Sequence, residues 1–119
     1  MENFRAYPFI IPLSRKATSA NTFTIKTKSW RPGDIIRVRH VSVSNEITDG
    51  TIVHVGVIRD EHAIYIKTLT LTTKTHFYKV ILDVEVPSDY RVIVKIITPT
   101  SGDMIFVNVF GTLICCDRE

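Results

Sequence analysis

Asp60-Glu61-His62 sets two carboxylates beside an imidazole. Such a cluster could hold a weakly bound metal ion. It also stands between two apolar stretches, Thr51–Arg59 and Ala63–Thr73, where a solvated hairpin turn explains it without chemistry. Asp83 and Glu85 occupy positions i and i+2, which puts both carboxylates on one face of a strand. Glycosidase carboxylates need an enclosing cleft aimed at one bond, and no residues here build one. The remaining histidines, His40, His54 and His76, fall in separate segments, and no Gly-x-Ser-x-Gly turn supplies a nucleophile. Cys115 and Cys116 are adjacent. Their Cα atoms are only about 3.8 Å apart across a trans peptide, which would strain a disulfide between them. They read as reduced thiols of a protein made in a reducing cytosol. No second cysteine pair or His-x3-His spacing completes a zinc site, and the isolated glycines form no phosphate loop. The expectation is a protein without catalytic residues, metal or cofactor.

The elements that carry these residues are strands. In 119 residues there are 16 Ile, 13 Val and 14 Thr against 5 Leu and 4 Ala. β-branched side chains suit a pleated sheet and disfavour helix. Seven apolar segments separated by turn signals follow one another: Thr22–Trp30, Ile35–Ser44, Thr51–Arg59, Ala63–Thr73, His76–Val86, Tyr90–Thr98 and Met104–Cys115. Tyr7–Leu13 could make an eighth. The spacing predicts a seven- or eight-stranded antiparallel β-sandwich. No apolar run approaches the roughly 20 residues of a membrane helix, and the first residues lack the order of a secretory signal. Two strands switch the parity of their apolar residues, which predicts bulges near Arg39-His40 and Lys67-Thr68 or, alternatively, a strand passing from one sheet to the other.

Residues 1–21 read as an arm or an edge strand, and residues 22–119 as the sandwich. The first segment holds Phe4, Tyr7, Phe9, Ile10, Ile11 and Leu13, too many large apolar groups for a flexible tail. His76–Val86 alternates cleanly, with Tyr78, Val80, Leu82, Val84 and Val86 on one face. The last two strands do not: Ile93 and Ile97 stand opposite Val92, Val94 and Ile96, and Phe106 and Phe110 oppose Val107 and Val109. A thin sandwich cannot bury both faces of such strands by itself. Identical subunits are therefore the expected partners. Candidate contact residues are Phe4, Tyr7, Phe9, Ile10, Ile93, Ile97, Phe106 and Phe110.

Charge is distributed unevenly. Residues 1–40 carry eight basic and two acidic side chains, and residues 41–119 carry seven basic and ten acidic ones. That polarity suits association of unlike surfaces on identical subunits. A nucleic-acid packaging role, with Arg37 and Arg39 on phosphates, ranks behind it because the net charge is only +3.

The stretches Trp30-Arg31-Pro32-Gly33-Asp34, Gly50–Asp60, Val86-Pro87-Ser88-Asp89-Tyr90 and Gly102–Gly111 run in an order that resembles small virion proteins of bacterial and archaeal viruses, built as a single jelly roll. The resemblance spans residues 30–114. It implies a jelly-roll sandwich in an accessory capsid, decoration, vertex or tail-associated role, in the virion, beside other virion proteins. It brings no catalytic residues. The alternative is a carbohydrate- or receptor-binding sandwich, with Trp30, Asp60, His62 and Tyr90 as loop ligands.

Overall fold

A computed structural model describes residues 3–117, and side chains from residue 5 to residue 115. The described chain is all β, in eight strands: β1 (Asn3–Lys16), β2 (Phe23–Lys26), β3 (Ile35–Asn45), β4 (Thr51–Arg59), β5 (His62–Leu71), β6 (Tyr78–Pro87), β7 (Tyr90–Ile97) and β8 (Met104–Asp117). Most bounds follow the apolar alternation closely. β1 and β2 are the exceptions: β1 runs from Asn3 to Lys16 where the sequence suggested Tyr7–Leu13, and β2 stops at Lys26 where it suggested continuation to Trp30. The ladder ends there because the Thr27 hydroxyl, not a backbone carbonyl, accepts the Val92 amide at 3.1 Å.

The strands form two four-stranded antiparallel sheets, β1-β8-β3-β6 and β2-β7-β4-β5. Every connection but the β4–β5 hairpin crosses from one sheet to the other. β1 meets β2 along one side of the sandwich, and β5 meets β6 along the other. Residues 3–16 thus lie in the first sheet as its edge strand, paired with β8 over their whole length from Asn3↔Asp117 to Lys16↔Met104. Pro8 and Pro12 fit this position, because a proline in an edge strand can turn its missing amide away from the ladder.

The core is aliphatic. Ile36, Val38, Val41 and Val43 of β3, with Ile105, Val107 and Val109 of β8 beside them, face Val53 and Val55 of β4 and Val92, Val94 and Ile96 of β7. Short branched side chains close a thin interlayer without large voids, and each contributes about 1.5–3 kcal/mol when fully buried. The register shifts between Val38 and His40, which turns Arg39 and His40 outward while Val41 returns to the core. A second shift, between Val55 and Gly56, leaves Ile66 of β5 without a partner. The parity switches in the sequence fall within two residues of both.

One end of the sandwich is pinned by buried polar groups. Asn45 donates to Thr51 Oγ1 at 2.8 Å and accepts from the Ile47 amide at 3.0 Å. Asp103 accepts from Thr48 Oγ1 at 2.5 Å and from the Thr100 amide at 2.8 Å. Both residues are fully buried, so each satisfied bond avoids a desolvation cost of about 1–3 kcal/mol.

Candidate functional site

The outer face of the first sheet keeps an apolar row in the open. Ile10 pairs with Phe110, Phe110 with His40, and His40 with Ile81, so one line of side chains crosses all four strands. Ile10 and Ile81, at its two ends, are 63% and 64% exposed. In the middle, the His40 ring stacks on Phe110 with centroids 4.2 Å apart and planes 18° from parallel. Burial holds the His40 pKa below its usual value, and the nearby Lys79 ammonium lowers it further. A second row, Ala6–Ile114–Ile35–Pro87, lies toward the β8 C-terminal end. Between the rows Arg37 pairs with Asp83 at 3.1 Å and with Glu85 at 3.6 Å, and Arg39 donates to Thr112 Oγ1 at 3.3 Å. The Arg37 charge is thereby matched within the face, whereas Arg39 reaches only a hydroxyl among the described residues and Lys79 lies near His40.

The outer face of the second sheet is different. Its β7–β4–β5 rows are Ile93–Gly56–Tyr65, Lys95–His54–Thr68 and Ile97–Ile52–Thr70. Lys95 sits over the Tyr65 ring, 5.7 Å from its centroid, and His54 Nδ1 lies 2.6 Å from Thr68 Oγ1. Polar groups therefore interrupt the apolar ones.

A third feature lies between the sheets. Along the β5/β6 side an open groove of about 550 Å³ is walled by Val57, Ile64, Ile66, Val84 and Val86. Arg59, Glu85, Asp89 and Tyr90 stand around it, and Arg59 Nε donates to Asp89 Oδ2 at 2.9 Å. Ile64 is 58% exposed although register places it on the core side, opposite Val57. The groove exists because β5 and β6 are both edge strands, and their short side chains do not close the space between the layers.

The sequence-derived contact residues divide among these regions. Ile10, Phe106 and Phe110 lie on the outer face of the first sheet, where Phe106 is level with Ser14 and Ser44. Tyr7 is exposed at the β1 edge. The side chain of Phe4 lies outside the described residues. Phe9 faces inward instead, its ring over Gly111 and 5.2 Å from that of Trp30. Ile93 is also corrected: on the outer face of β7, it is only 2% exposed. Its neighbours in the row are Lys26, Gly56 and Tyr65, larger side chains on either side of a glycine trough. Ile97 is half-buried in its own row.

The loop ligands divide as well. His62, Arg59 and Tyr90 form one transverse row, with Asp60 in the adjoining two-residue turn at φ 54°. Trp30 packs on Phe9, half-buried, with its Nε1 buried and unpartnered. Asp83 and Glu85 are engaged with Arg37. Among the described residues no group of three or more His, Cys, Asp or Glu side chains converges as a metal site. The aliphatic groove was missed by the sequence reading, since a sequence alone does not say which two strands become facing edges.

No protein-family model matches the chain, and a search of curated proteins finds none that matches it.

Proposed function

We propose that this protein is a non-enzymatic structural subunit that assembles with copies of itself, as an accessory component of a virus particle. The observation that carries the assembly reading is the Ile10–Phe110–His40–Ile81 row, exposed at both ends across a whole sheet. Ten residues of four neighbouring strands cover roughly 600 Å², using about 3.3 Å per residue and 4.8 Å per strand. That approaches the roughly 800 Å² per partner of a stable protein interface. A sheet face of this size that carries exposed apolar rows removes them from water when a second surface covers it.

The strand orders β1-β8-β3-β6 and β2-β7-β4-β5, with all but one connection crossing between sheets, support a jelly roll. Eight strands in two Greek keys are the jelly-roll plan, common to viral capsid and lectin domains. Between those two uses the groove favours assembly: its walls are largely aliphatic, and Tyr90 is the one aromatic residue lining it. A sugar site calls for stacking rings and clustered hydrogen-bonding groups.

Light scattering of the purified protein over a wide concentration range tests the reading. The expected result is an oligomer that Ile81→Glu dissociates while circular dichroism shows the subunit still folded. A monomer at every concentration would overturn it.

A further inference from the structure

The two sides of the sandwich match each other in level, charge and shape, and we propose that they join: the β1/β2 edge of one copy seats on the β5/β6 edge of the next, with Tyr7 entering the groove. This rests on the assembly reading and adds a second, head-to-tail contact to it.

Level comes first. Tyr7 pairs with Leu113, Leu113 with Ile36, and Ile36 with Val86. Tyr7 and Val86 are thus the two ends of one transverse row. A neighbour displaced sideways, with no slide along the strands, brings its Tyr7 to Val86, a wall of the groove. Three antiparallel pairings separate β1 from β6, so the neighbour's β1 also runs antiparallel to β6.

Charge agrees. β1 and β2 carry Arg5, Arg15, Lys16 and Lys26 and no acidic residue. The groove itself is lined by the carboxylates of Glu85 and Asp89 against the Arg59 guanidinium, with Asp60 and Glu61 in the turn beside Arg59, while Lys67 and Lys79 lie farther along β5 and β6. A basic edge meeting the acidic end of the groove steers approach and helps to fix register.

Shape completes the argument. Tyr7 is 45% exposed on its edge, and the groove leaves Ile64 58% exposed on the other. A tyrosine buries about 150–250 Å² and keeps its hydroxyl for a polar rim, here the Glu85 and Asp89 carboxylates. Pro8 and Pro12 deny β1 two donors, so the contact is made by side chains and not by a continuous hydrogen-bonded sheet. Because the two surfaces differ, the contact is heterologous and repeats into a ring or a filament.

Mixing two blocked variants tests this directly. Tyr7→Asp removes the knob, and Ile64→Asp spoils the groove, with Ile66→Ser as a second groove variant. All three positions are exposed, and circular dichroism melts check that each variant folds. The size distribution of each is measured alone and after equimolar mixing. Each variant alone should need at least roughly tenfold more protein to assemble, the effect of losing an interface anchor. The mixture should form species larger than either variant alone, since one partner keeps a knob and the other a groove. If the wild type assembles but the mixture gains nothing, the edge pairing is wrong and assembly through the sheet face stands. If the wild type is monomeric throughout, the assembly reading falls and this contact with it.

Discussion

The row Phe9–Gly111–Val38–Val84 crosses the first sheet from edge to edge, and its two ends are finished differently. At the β1 end the Phe9 ring lies over Gly111 and meets Trp30, so two aromatic groups seal the interlayer. At the β6 end Val84 opens into the groove, with Val57, Ile64 and Ile66 of the other sheet in its wall. At the margin of the layers, where no further strand supplies a neighbour, large aromatic rings cover the opening that short branched chains leave. The sealed edge spends its apolar surface on folding, whereas the open edge keeps some for contact.

If the seal is structural, its most sensitive point is Gly111. A Cβ there would run into the Arg37 carbonyl oxygen and come within 2.7 Å of the Phe9 ring. The carbonyl belongs to the paired strand and cannot swing away. Gly111→Ala should therefore cost about 2–3 kcal/mol, the upper part of the range for overpacking a filled site. Urea unfolding measures it, and an unchanged midpoint would show that the sealed edge has slack.

Trp30 comes next. Trp30→Ala removes the outer half of the seal and should cost about 2–3 kcal/mol, below the 3–5 kcal/mol of a fully buried aromatic. Trp30→Phe keeps a ring on Phe9 and removes the unpartnered indole N–H. Losing a buried donor without a partner offsets part of the lost contact, so this variant should stay within about 1 kcal/mol of wild type. Equal losses in both would mean that the size of the indole matters and its orphaned donor does not.

Sequence and fold agree where alternation is clean. The segment Thr51–Arg59 matches β4 residue for residue, and the parity switches in β3 and β5 mark real register shifts. The faces of β8 were also readable, because Ile105, Val107 and Val109 differ in parity from Phe106 and Phe110. Phe9 and Ile93 were not. Whether an apolar side chain on a strand is covered depends on its cross-strand neighbours, here Gly111 for Phe9 and Gly56 for Ile93. Sequence places the glycines in strands but does not say which side chain lies beside them. The groove was illegible for a related reason: it is a property of two edges, β5 and β6, whose meeting depends on the order of all eight strands.

His40 tests the outer face that runs between the two edges. Its pKa lies below 6.5 in the folded protein, from burial against Phe110 first and the Lys79 charge second. As the pH falls through 6.5 the unfolded chain takes up a proton that the folded chain resists. Stability present at neutral pH should therefore decline from about pH 6.5 down to the lower folded value. Melting temperatures of wild type and His40→Gln across mildly acid pH measure this, and the variant should lose that part of the slope. A wild-type curve with no such slope would place the ring in water.

The smallest expected effect bears most directly on the comparison. Ile64→Ser changes a large apolar residue that register places on the core side, so an inward-facing position alone would predict a clear loss of stability. Yet the residue is mostly exposed, on an edge strand, beside an open groove. Removing a side chain that water already reaches loses little, and the change should lie within about 0.5 kcal/mol. Phe9→Ala, at the other edge of the same sandwich, should cost several times more, since its ring is shared between Gly111 and Trp30. Measured together by urea unfolding, the pair distinguishes two accounts of the open edge. A loss at Ile64 comparable to that at Phe9 would make the groove a loosely packed part of the core. A negligible loss would leave Ile64 as apolar surface that folding does not use and that a neighbouring subunit can cover.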